Sequence, residues 1–135
     1  MTTSSIFQYR NLLCLVIANI IASILHYVDN VMHFEHYPEP DWLNAQLVDL
    51  FWFFMTPFAI VGLYLLKRHR FNSALWLLIA YALMGLLVLG HYNYAPFFDI
   101  SFKIHLFIWL EAILAGILLI YTPLCIHHFK KTNSL

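Results

Sequence analysis

Four apolar runs, each of about 20 residues or more, decide what this chain can fold into, because that is the length an α-helix needs to cross a hydrocarbon layer. They extend from about Asn11 to Asn30, Leu43 to Leu66, Ser73 to Tyr92 and Ser101 to Leu124. The links between them are short: HYPEPDW, KRHRFN and NYAPFFD. Short links join antiparallel neighbours. The expected architecture is therefore an all-α polytopic membrane protein, one four-helix up-down transmembrane bundle over residues 1–135. Composition agrees: 62% of residues are hydrophobic and 10% charged, against about 25% charged in a soluble domain. Zero net charge with His neutral argues against nucleic acid as a partner, since that needs a basic surface.

Basic residues set the orientation. Arg10 precedes the first run, Lys67, Arg68 and Arg70 lie between the second and third, and Lys130 and Lys131 follow the fourth. Lys103 alone of the seven falls on the other side, with Glu35, Glu39, Asp41 and Asp99. The positive-inside rule then makes both termini cytoplasmic, in a bacterial inner membrane or an endomembrane. The run from Leu12 to Leu25 is long for a signal-peptide core and no small-x-small cleavage site follows, so it reads as a retained span. Trp42, Tyr92, Tyr94 and Tyr121 sit near helix ends, as interfacial anchors do. Pro57 is expected to kink the second helix and Pro123 to end the fourth. Pro38 stops the first no later than Tyr37. Cys14 and Cys125 read as buried apolar side chains. The FWFF run at Phe51–Phe54 covers every helical face and reads as lipid contact and packing.

The first helix carries an unusual polar stripe: Asn19, Ser23, His26, Asp29, Asn30 and His33. Residues seven apart differ by only about 20° around a helix, so Asn19, His26 and His33 share one line, flanked by Asp29 and Asn30. A charged residue at mid-membrane is unfavourable by about 2.5–3.5 kcal/mol on insertion scales, so the stripe must face the bundle. Ala18 and Ala22 let a neighbour approach closely. At similar depth stand Asp49, about 9 Å into the second helix, His91 at the end of the third, and His105, roughly 6 Å into the fourth. Glu111 lies roughly 15 Å down, near the bilayer centre. There it needs either a hydrogen-bonding partner such as Asn19 or, if charged, a counter-charge. An intramembrane carboxyl is a functional candidate.

Imidazole and carboxylate together suit Zn²⁺, Fe or Cu. The leading expectation is a metal site at the non-cytoplasmic end with His26, Asp29, His33, His91 and His105 as ligands. Asp49 and Glu111 are the candidate catalytic residues, as base and proton carrier. If catalytic, the metal would polarise an oxygen or activate water or dioxygen on a lipid-like substrate. A bis-His haem between His26 and His91 or His105 would need a deep slot, and ligands this near the surface speak against it. His36, His69, His127 and His128 read as solvated or interfacial. The competing reading is a metal-free hydrogen-bonded network, as a ligand pocket or as the frame of a subunit in a homo-oligomer or larger membrane complex.

From Pro38 onward the chain resembles the EXPERA family, which includes emopamil-binding protein. The elements are a proline-rich loop ending in Trp42, an acid shortly after it (Asp49), a mid-span proline (Pro57), a basic link to the third span, and four spans with cytoplasmic ends. The resemblance implies a membrane-embedded, metal-free pocket for sterol-like or hydrophobic amine ligands, with Asp29 and Asp49 as key acids.

Overall fold

The computed structural model describes residues 3–133, with side chains from 6 to 131. Its helices are α1 (Thr3–Met32), α2 (Ala45–Lys67), α3 (Phe71–Leu86) and α4 (Phe102–Asn133), and no strand occurs among the described residues. All four are long and apolar enough to cross a membrane, α3 together with the helical turns that carry it on to Asn93. Residues such as Ile21, Phe53, Trp76 and Ile120 turn outward, each more than half exposed. In a bilayer that surface meets acyl chains, so it carries no penalty. The chain is a multi-pass integral membrane protein.

Helix limits follow local chemistry. α1 stops at Met32 and a 3-10 turn at Phe34–His36 leads into extended Tyr37, because Pro38 disfavours helix at the residue before it. Asn44 caps α2, its side chain accepting from the Leu47 amide at 3.0 Å. α2 closes on His69, held at φ 58°. There the His69 amide reaches Leu66 O at 3.0 Å and the Arg70 amide reaches Leu65 O at 2.9 Å, the pair of bonds that turns a chain through a left-handed residue. His69 thus serves the turn. α3 tightens into 3-10 geometry over Leu87–Asn93, a frequent way to finish a helix.

Pro123 does not end α4, contrary to the expectation: the helix continues to Asn133. Beyond the proline, Cys125, Ile126 and Phe129 are almost wholly buried in the core. That packing outweighs the one lost hydrogen bond, and proline is tolerated in membrane helices whose neighbours support them. Cys14, expected to be buried, is exposed instead.

Gln8 O accepts a weak Cys125 Sγ contact at 3.7 Å, so the two terminal segments lie at one end of the bundle. At that end Leu12, Val16, Met55, Leu78, Leu118 and Phe129 form the larger core. A second, smaller core of Tyr37, Val88, Ile100, Ile104 and Ile108 lies toward the opposite end, where the two longer links fold over. α1 packs chiefly on α4, and α2 chiefly on α3. Of the neighbouring helices α1 and α2 touch least, which leaves room between them.

Gly62 allows the α2–α3 contact, since a Cβ there would come within 2.9 Å of Leu78 Cγ and Cδ2. Gly62→Leu is expected to destabilise the detergent-solubilised protein by about 1–3 kcal/mol through overpacking. Gly116→Ala, where a Cβ meets nothing within 4 Å, is expected to be neutral or stabilising. Thermal unfolding of the two variants checks the contrast.

Candidate functional site

The stripe on α1 does turn inward. Asn19, Ser23, His26 and Asn30 are all buried, while Asp29 is half-buried and His33 exposed. Spacings of three, four and seven place these side chains on one helical face, and the buried ones reach α4, α2 and the first link. Asn19 Nδ2 donates to Leu15 O at 2.9 Å and to Leu114 O of α4 at 3.1 Å, so it binds α4 backbone and not Glu111. His26 Nδ1 lies 2.7 Å from Glu111 Oε2. Ser23 Oγ accepts from Trp52 Nε1 at 3.1 Å, and Trp52 stacks on Tyr27. Asn30 Nδ2 donates to Glu39 Oε1 at 2.6 Å.

His91 arrives from the 3-10 end of α3. Its ring meets His26 edge-on with centroids 5.3 Å apart, and Tyr37 stacks on His26 at 5.6 Å. A carbonyl can only accept, so His91 Nδ1 carries the proton it donates to Pro38 O at 3.1 Å. Glu39 Oε1 stands 3.5 Å from the same nitrogen. Two imidazole–carboxyl pairs, His26 with Glu111 and His91 with Glu39, therefore share one buried space.

Asp29 is drawn into a separate brace. Tyr37 Oη donates to its Oδ2 and Lys103 Nζ to its Oδ1, both at 2.8 Å. Burial, then the hydrogen bond to Asp29, pushes the Tyr37 phenol far above its usual range, so it remains a donor at any physiological pH. The brace ties α1, the first link and α4 together.

The remaining expected ligands lie apart from this centre. His33 Nδ1 donates back to Asp29 O at 3.1 Å, on the surface. His105 sits in an aromatic nest: its Nε2 donates to Phe97 O at 2.9 Å, and its Nδ1 accepts from Tyr92 Oη at 2.8 Å. His26 and His91 come together, whereas His33 and His105 would have to leave these partners to ligate Zn²⁺, Fe or Cu. Among the described residues no three His, Cys, Asp or Glu side chains are grouped to hold a metal ion. The residues present do not form the five-ligand shell. Asp49 is half-buried on α2, beside the cavity wall to which its neighbours Val48 and Leu50 contribute.

Where α1 and α2 separate there is a cavity of about 780 Å³, within the range of small-molecule sites. His26, Asn30, Glu39, His91 and Glu111 make its polar wall; Trp52, Phe54, Met55, Leu87 and Tyr94 make the apolar one. Two buried polar atoms on the polar wall, His26 Nε2 and Asn30 Oδ1, have no hydrogen-bond partner among the described residues. Glu39 and Asn30 were not singled out as a pair from sequence. Glu39 lies in a link, and only the fold of Pro38–Pro40 carries it back over α1.

Buried and exposed contacts at this end should differ in weight. Glu111→Ala strands His26 Nδ1 in the core and is expected to cost about 1–3 kcal/mol. Lys103→Ala removes a half-exposed ion pair and is expected to cost less than about 1 kcal/mol. Thermal unfolding of both variants in the same detergent tests that order.

Compared with known proteins, the chain matches no protein-family model, no curated protein and no solved structure.

Proposed function

We propose that this chain binds a lipid-like amphiphile in the cavity between α1 and α2, and that the His26–Glu111 pair exchanges a proton with the ligand's polar head. One observation carries this reading. A buried imidazole on the cavity's polar wall has Nδ1 held by a carboxyl group and Nε2 without a partner among the described residues. Burying a polar group without a hydrogen bond costs roughly 1–3 kcal/mol, and this wall has two such atoms. Asn30 Oδ1 can only accept, so a complementary head must donate. A hydroxyl or an ammonium group does so, which agrees with the sterol-like or hydrophobic amine ligands implied by the EXPERA resemblance.

The pair is suited to acid–base work. With Glu111 as carboxylate, Nδ1–H donates to it and the Nε2 lone pair is free. A proton taken from the head at Nε2 is balanced by passing the Nδ1 proton to Glu111 Oε2. Imidazole and carboxyl so arranged supply a general base and a proton acceptor in one hydrogen-bonded unit. Uptake of that proton takes the pair from a charge of −1 to zero, and relaying it to Glu111 leaves no imidazolium in a medium of low dielectric.

Long-chain primary alkylamine or cholesterol, added to the purified protein, is expected to raise its unfolding temperature. His26→Phe keeps a ring against Tyr37 and removes both nitrogens. It is expected to weaken the response about tenfold in ligand concentration, the loss of one buried hydrogen bond of about 1.4 kcal/mol. No shift with either compound, or an unchanged response in His26→Phe, would refute the assignment.

The positive-inside rule, applied to the basic residues, favours cytoplasmic termini, and on that reading the site lies under the opposite leaflet. A reporter active only outside the cytoplasm should stay silent when fused after Leu135 and become active within residues 94–100. The reverse pattern would invert the site.

A further inference from the structure

The cavity's two walls differ in exposure as well as chemistry. On the α1 side, Ser23, His26 and Asn30 are buried. On the opposite side Leu50 is 65% exposed, Phe54 59% and Leu87 62%, although all three line the cavity. Residues that line an enclosed space are covered, so these form a rim. Leu50 and Phe54 are one turn apart on α2. Leu87 and Gly90 are one turn apart on the 3-10 end of α3. Between the two edges Gly90 presents no side chain, and a Cβ built there meets nothing within 4 Å. α2 and α3 touch closely at Gly62 and Leu78, and toward the end that holds His26 residues of both line the cavity. The rim is apolar and lies within the membrane-crossing segments, so it faces hydrocarbon.

We infer that the cavity opens sideways into the bilayer through a window between α2 and α3, and that its ligand is a chain-bearing amphiphile. The head is seated at His26 and Asn30 while the tail leaves past Leu50, Phe54 and Leu87 into the surrounding acyl chains. This rests on the ligand reading above and adds the class of ligand and its route. The single occupant of the window is the ligand's own hydrocarbon tail. Continuity of the apolar rim with the polar wall argues for it: a head drawn inward to two unpartnered polar atoms leaves an attached chain nowhere drier to go. A compact polar solute would leave the apolar rim unfilled and would have to enter beneath Pro40 and Leu43.

The test uses the full chain in phosphatidylcholine nanodiscs with two forms of one probe, a long-chain primary alkylamine. One form bears a diazirine beside the head, the other at the tail end. After photolysis, labelled residues are mapped by mass spectrometry. The head-side probe is expected on Ser23 and Met55, and the tail-end probe on Leu50, Phe54 and Leu87. Gly90→Trp fills the window from α3 and Leu50→Trp narrows it from α2, so loss of fold in one variant leaves the other. Each is expected to cut labelling by both probes severalfold. Gly116→Trp, whose Cβ is equally free on α4, is expected to leave labelling unchanged. Tail-end labelling at Trp42 and Leu43, or confined to Ser23 and Met55, would overturn the lateral route while leaving the ligand reading intact. So would undiminished labelling in both window variants. Absence of head-side labelling in the unmodified chain would remove the ligand reading itself, and the window with it.

Discussion

The hydrogen bond between Glu111 and His26 fixes how α1 meets α4, and most of the loop-end architecture follows from it. A carboxyl group in the middle of a membrane helix has no water to solvate it, and lipid offers no substitute. It must be satisfied by another helix. Once His26 answers it, the rotation of α1 is set, and Asn19, Ser23 and Asn30 are carried inward on the same face. Asn19 then reaches the α4 backbone at Leu114 O, a second tie on the same interface. Holding α1 against α4 is what separates it from α2 and leaves the cavity between them.

The two ends of the bundle solve different problems. Toward the terminal end α2 and α3 approach closely at Gly62 under Leu78, and nearer mid-bundle α3 and α4 do so at Gly85 against Ala115; close contact substitutes for the hydrophobic driving force that lipid does not provide. At the other end polar side chains determine the spacing, and the helices part. Tyr37, Asp29 and Lys103 brace the first link over the opening, so the polar wall is held from above as well as from the sides. A tightly packed base and a braced link above hold the cavity open without loosening the helices.

The histidines show how little residue type alone decides. His26 and His33 are seven apart and point the same way, yet the first is buried against Glu111 and the second lies at the surface on Asp29. The difference is where the helix stops: α1 ends at Met32, so His33 no longer continues the buried line. His105 occupies the expected depth on α4, but Tyr92 and Phe97 engage both of its nitrogens. Only His26 and His91 remain for the cavity.

Helix number, approximate limits and the inward turn of the α1 stripe were legible in the chain itself, because run length and 3.6-residue periodicity are local properties that a bilayer enforces on every segment. The burial of Glu111 was legible for the same reason, as a charge-bearing side chain ten residues into an apolar run. Its partner was not, since Asn19 and His26 lie on one face and only the vertical offset of α1 against α4 selects between them. Tertiary structure also decided that α4 passes through Pro123, because distant core contacts by Ile126 and Phe129 outweigh a local break. It decided which imidazoles meet, and that Glu39 returns from its link to join His91. Those outcomes depend on the heights and tilts of four helices relative to one another, and periodicity within a single helix contains no term for either.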